Sequence, residues 1–257
     1  MGIPRTIIAT SATLAALACV SAQAADYDAW SGFYLGAAAG NREQQIDWEQ
    51  GDIYLPSTDT LNVGDLSGAS DSSKSNNGYF SLYGGYNWLI SERVLLGLEL
   101  SAGYADGQTD KHHLDLSPIY GFGDDQTSVT LQSDWDASLR GRAGYLITPS
   151  VLFYGAAGIA ATRLESSTYC PSDNYACSPF SSARHESHDE IVLGWTAGLG
   201  LEASLSEHLL ARAEYQYSDY QSTSFWAMSP EAFEAFGVKN EVDSGSQKLT
   251  LGLAYKF

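Results

Sequence analysis

Six charged residues recur at intervals of two among small or polar neighbours: Glu99, Arg140 with Arg142, Glu202, and Arg212 with Glu214. Three arginines and three glutamates that share one enclosed space should pair, because an isolated buried charge is costly. Such a set could fill a lumen as a structural plug, line a narrow gated ion path, or serve acid–base chemistry. We read it first as a plug.

Other groups invite separate tests. His112-His113 and His185-Glu186-Ser187-His188-Asp189-Glu190 combine imidazole with carboxylate, a pairing that can bind a transition metal or haem. Five histidines in 257 residues are no enrichment, and we expect no dedicated metal site and no cofactor. Ser206, Glu207 and His208 carry the residue types of a nucleophilic triad. They are chain neighbours, whereas a triad needs groups that converge from separate elements. No catalytic residue is assigned. Cys170 and Cys177 flank Pro-Ser-Asp-Asn-Tyr-Ala, and an even pair in an exported chain reads as a disulfide; free thiols or a redox pair are the alternatives.

Export is read from the first 24 residues. Arg5 supplies a positive start, residues 7–20 are small and mostly apolar, and Ala22-Gln23-Ala24 forms a cleavage site. Residues 25–257 are then one domain. The chain has 13 basic and 31 acidic residues, net −18. That excess argues against a nucleic-acid partner, which needs a basic face. With 44% hydrophobic residues and 16 Tyr, the chain has enough apolar surface to fold.

No stretch after the leader holds 18 consecutive apolar residues, so no transmembrane helix is expected. Alternation is the dominant pattern. Leu249, Leu251, Leu253, Tyr255 and Phe257 share one strand face, opposite Lys248, Thr250, Gly252, Ala254 and Lys256. Comparable segments fall at about 31–43, 77–89, 93–106, 132–147, 151–166, 190–204 and 209–220. The phase of the segment through Phe153-Tyr154-Gly155 is ambiguous. Connections alternate in length. Ile90-Ser91-Glu92, Thr148-Pro149-Ser150 and Leu205-Ser206-Glu207-His208 are tight; roughly 44–76, 107–131, 167–189 and 221–245 are long and polar.

Eight alternating strands fit a soluble barrel or a transmembrane one, since the two are mirror images in hydropathy. The mixture of charge with glycine on the polar face suits a narrow lumen. Trp30, Phe33, Tyr86, Trp88, Tyr145, Tyr255 and Phe257 fall near strand ends, as an interfacial girdle would. The expected fold is all-β: an eight-stranded antiparallel up-and-down transmembrane β-barrel with short periplasmic turns and four long extracellular loops. Ser229-Pro230-Glu231-Ala232-Phe233-Glu234-Ala235-Phe236-Gly237 predicts a short helix in the last loop.

Trp30-Ser31-Gly32-Phe33-Tyr34-Leu35-Gly36-Ala37-Ala38-Ala39-Gly40 resembles the opening strand of small outer-membrane β-barrel proteins of alphaproteobacteria, relatives of the OmpA-type barrel that include major surface antigens and hemin-binding proteins. Gly84-Gly85-Tyr86-Asn87-Trp88 and Arg140-Gly141-Arg142-Ala143-Gly144-Tyr145 resemble that family's second and fourth strands. Leu253, Tyr255 and Phe257 resemble its C-terminal membrane-insertion signal. The cysteine pair departs from the family pattern. The resemblance implies a bacterial outer-membrane location, with lipid, lipopolysaccharide and the barrel insertion machinery as partners.

The expected function is a structural and surface-interaction role without catalysis, in a monomer. A narrow porin-like channel and a hemin or metal receptor are the alternatives. Residues 44–76, 105–127, 168–190 and 219–245 hold 20 acidic and 4 basic residues, so the acid excess belongs to the outer face. Divalent cations or a host surface are candidate partners there.

Overall fold

The computed structural model describes residues 30–54, 70–105, 110–113, 128–170, 184–228 and 237–257. The leader, Cys177, the Cys170 side chain, the imidazoles of His112 and His113, and residues 229–236 of the expected helix lie outside the described residues.

Eleven strands are described: β1 (Gly32–Tyr54), β2 (Ser70–Ser91), β3 (Val94–Ala105), β4 (Asp110–His113), β5 (Ser128–Gln132), β6 (Trp135–Thr148), β7 (Val151–Cys170), β8 (Arg184–Ser204), β9 (Leu209–Tyr220), β10 (Thr223–Met228) and β11 (Gly237–Lys256). Eight of them form a closed antiparallel ring. β1 pairs β2, then β3, β6, β7, β8, β9 and β11 follow, and β11 returns to β1. Closure leaves no barrel edge, so backbone donors and acceptors are satisfied without water. The short β4 pairs β5, β5 pairs β7, and β10 pairs β11.

The tight turns and both chain ends of the ring lie together. Leu146 N donates to Arg93 O at 2.8 Å, Ser204 N to Ser150 O at 2.9 Å, and Lys256 N to His208 O at 2.8 Å. Gly32 has φ 121°, a conformation suited to glycine, just before Phe257 N donates to Phe33 O at 2.9 Å and completes the seam.

Side chains alternate along β3 and β9, and along β6 as far as Leu146. Leu96, Leu98 and Leu100 on β3, with Leu249, Leu251 and Leu253 on β11, are exposed on the outer surface. An apolar belt of this kind needs hydrocarbon, not water, around it. The ambiguous segment of β7 is resolved: Phe153 points out and Tyr154 is buried in the lumen.

Two expectations change. The ring strands overrun their expected ends: β1 continues to Tyr54, β2 begins at Ser70, β7 reaches Cys170, and β11 begins at Gly237. Crossing hydrocarbon takes about nine to eleven residues, so a strand of 23 such as β1 projects well beyond it. In the projecting part the polarity inverts. On β1 the outer residues change from Phe33 and Leu35 to Glu43 and Asp47, while the buried ones change from Arg42 to Ile46 and Trp48. On β11 the buried Lys248 gives way to Val242. The upper barrel is therefore arranged more like a water-soluble one, with acidic residues outside and Ile46, Trp48 and Val242 inside among small serines such as Ser75 and Ser244. Its Ser- and Asp-rich outer residues made it read as loop.

The second change concerns Trp30. It is 1% exposed and donates from Nε1 to Pro149 O at 2.9 Å, so it plugs the turn end of the lumen instead of joining the girdle. Phe33, Trp88, Tyr145, Tyr255 and Phe257 remain exposed around that end. Phe33 meets Tyr86 edge-on at 4.6 Å between ring centroids.

Candidate functional site

An eight-stranded ring leaves an interior that side chains just fill. From the turn end, the first layer is apolar: Leu95, Leu146, Leu152 and Leu210 are buried with Trp30. Above it sit all six charged residues singled out in the sequence. Arg140 donates to Glu99 at 2.5 Å and to Glu214 at 2.7 Å. Arg142 donates to Glu202 at 2.8 Å. Arg212 donates from Nε to Glu202 at 2.7 Å and from Nη2 to Glu99 at 2.5 Å. Three positive groups thus face three negative ones, all buried.

Adjacent strands account for part of this set. Glu99 is the register partner of Arg140, and Glu202 of Arg212. Other contacts cross the lumen, including Arg140 to Glu214 and Arg212 to Glu99. Tyrosines complete the layer. Tyr34 OH donates to Glu99 Oε2 at 2.8 Å and accepts from Arg142 at 3.1 Å. Tyr154 OH donates to Glu214. The Arg212 guanidinium lies 4.0 Å from the Tyr83 ring centroid, and that of Arg142 lies 4.1 Å from Tyr154. The Tyr154 ring lies over Gly200, where a Cβ would overlap the phenol; Tyr79 covers Gly103 in the same way. Glycine on one strand makes room for an aromatic on its neighbour.

A second charged layer lies further from the turns, and the sequence reading did not assign it. Lys248 donates to Asp136 Oδ2, which also accepts from Tyr79 OH at 3.2 Å. Arg42 Nη1 is 3.7 Å from Asp136 Oδ1, and its Nη2 donates to Ser133 O. Inward parity was the available signal for Asp136 and Lys248. Arg42 lies at the end of the expected first strand, where apolar alternation has faded.

The remaining candidates are placed as follows. His185 and His188 are both exposed on β8. Residues three apart on a strand point to opposite faces, so their rings do not converge. No group of three or more metal-binding side chains occurs among the described residues. His208 Nδ1 is 3.1 Å from Lys256 O, and Ser206 Oγ accepts from Leu209 N at 3.2 Å, so both serve the turn. Leu253, Tyr255 and Phe257 are exposed on the apolar outer face, with Tyr255 stacked on His208 at 5.4 Å.

A closed antiparallel ring, apolar outside, aromatic at its turn end and ionic within, defines a membrane-spanning β-barrel. The chain belongs to the outer membrane protein beta-barrel domain family, which it matches over residues 12–257. It is an outer-membrane protein of bacterial type. It is 26% identical over 175 residues to a 25 kDa outer-membrane immunogenic protein of Brucella canis, covering 68% of this chain and 63% of that one. It is 26% identical over 229 residues to a 22 kDa outer membrane protein of Rhizobium leguminosarum bv. viciae, covering 88% and 78%. The crystal structure of OprG from Pseudomonas aeruginosa has the same fold, with a TM-score of 0.53 at 17% identity, covering 90% of this chain and 99% of that one.

Proposed function

We propose that the protein is a non-conducting, non-catalytic barrel that anchors a folded, acidic rim at the cell surface. The observation that carries this reading is the filling of the lumen at two levels: the buried Trp30, Leu95, Leu146, Leu152 and Leu210, and above them the ionic layer spanning from Glu99 to Arg212. A permeating ion would have to displace apolar side chains and break buried pairs. The outward Asp47, Asp189, Glu241 and Asp243 stand on the projecting strands, where a surface partner or an antibody would meet them. The Brucella relative's description as immunogenic is in keeping with that exposure.

Three assignments complete the proposal. Residues 1–24 are a cleaved leader, Cys170 and Cys177 form a disulfide, and Leu253, Tyr255 and Phe257 are read by the insertion machinery. Intact mass of the protein isolated from outer membranes, with and without reduction, tests the first two. Planar-bilayer recording tests the lumen. The expected trace is flat, and a stable nanosiemens-scale conductance would sink the closed-barrel reading.

A further inference from the structure

The two charged layers differ in balance. The layer near the turns matches three arginines with three glutamates, so it has no net charge to lend. The upper layer holds Arg42, Lys248 and one carboxylate, Asp136, each 2% exposed. Arg42 and Lys248 are direct register partners on β1 and β11, a placement in which like charges repel. The other described groups facing this layer are neutral at ordinary pH: Tyr79, Tyr220, Gln44, Ser133, Thr162 and Ser246. Arg42 Nε and Asp136 Oδ1 have no hydrogen-bond partner among the described residues, the latter lying 3.7 Å from Arg42 Nη1. Beyond the layer, Ile46 and Val242 are buried, so water does not screen it from that side.

An excess positive charge in so dry a space is strongly unfavourable. We propose that a small inorganic anion of the halide class occupies the lumen beside Arg42 and Lys248. The guanidinium of Arg42 and the ammonium of Lys248 repel a cation, and with the neighbouring hydroxyls they can donate to an anion. An interior of this width accommodates a monatomic ion better than an oxyanion. With the ionic layer on one side and apolar side chains on the other, the ion is captured as the barrel closes and exchanges slowly.

The test is to refold the protein into detergent micelles in bromide, desalt it rapidly into sulfate, and count retained bromide per chain by mass spectrometry. The expected result is about one ion per chain, released over hours, with an anomalous peak beside Lys248 in crystals grown from bromide. Lys248→Met balances the layer and should abolish retention. Should that variant not fold, Asp136→Asn removes the carboxylate and should slow release. Absence of bromide from the wild-type protein, which would mean an uncharged Lys248, overturns the proposal. So does equal retention by Lys248→Met, or unchanged release from Asp136→Asn. Conductance is read separately, so a conducting barrel and an empty anion site are distinguishable failures.

Discussion

Arg212 Nη2 lies 2.5 Å from Glu99 Oε2, although the two residues are 113 positions apart and stand on strands facing each other across the ring. Three strands lie between β3 and β9 in either direction, so this contact spans the full width of the lumen.

Removing one partner leaves charge behind. Arg212→Met leaves three buried glutamates facing only Arg140 and Arg142, and should destabilise the barrel by about 3–5 kcal/mol. The midpoint of urea unfolding in detergent, followed by tryptophan fluorescence, measures the loss. Adding Glu202→Gln to that variant should recover part of it, because fewer charges are then uncompensated. A double variant no more stable than the single one would contradict this account.

Gly200 and Tyr154 form a second coupled pair. Gly200→Ala drives a methyl group into the phenol, which must move away from Glu214. A loss of about 1–3 kcal/mol is expected from overpacking. Tyr154→Ala removes the obstacle, so the two substitutions should be non-additive in a double-mutant cycle. Strict additivity would mean that the close approach is harmless.

The inversion of polarity along the barrel predicts opposite tolerances on one outer face. Leu251 is 69% exposed and sits in the apolar belt. Leu251→Arg should cost about 2–4 kcal/mol in a bilayer, less toward the belt's margins. Asp243, eight residues earlier on the same face of β11, should accept Arg within about 0.5 kcal/mol. Refolding equilibria in lipid vesicles make the comparison; similar costs at both sites would erase the boundary.

His185 and His188 alternate to opposite faces of β8, so they should not act together. Hemin and zinc titrations of the wild-type protein and a His185→Ala, His188→Ala variant should superimpose, by Soret absorbance and by calorimetry. A lower affinity in the variant alone would require the two rings to converge.

Much of the architecture was legible because facing parity is a local property. Side chains alternate with period two whatever the strand pairs with, so Leu249, Leu251 and Leu253 declare an outer face, and Glu99, Arg140 and Arg212 the opposite one. The projecting strands escaped notice for a physical reason. Beyond the belt the period persists, but Glu43 and Asp47 face out while Ile46 and Trp48 face in, and the hydropathy phase reverses. A pattern that changes phase looks like a pattern that stops. Trp30 illustrates another gap: an aromatic at a strand end suits both a girdle and a plug, and its bond to Pro149 decides between them.

The sequence by itself determined the eight spanning strands, their order and which side chains turn inward, all consequences of short-range alternation and connection length. The tertiary structure decided which charges meet. Register between neighbours sets Glu99 beside Arg140, but only closure of the ring brings Arg212 across to Glu99 and sets Arg42 opposite Lys248 over a single carboxylate. Parity belongs to one strand, whereas balance of charge in a lumen belongs to all eight at once.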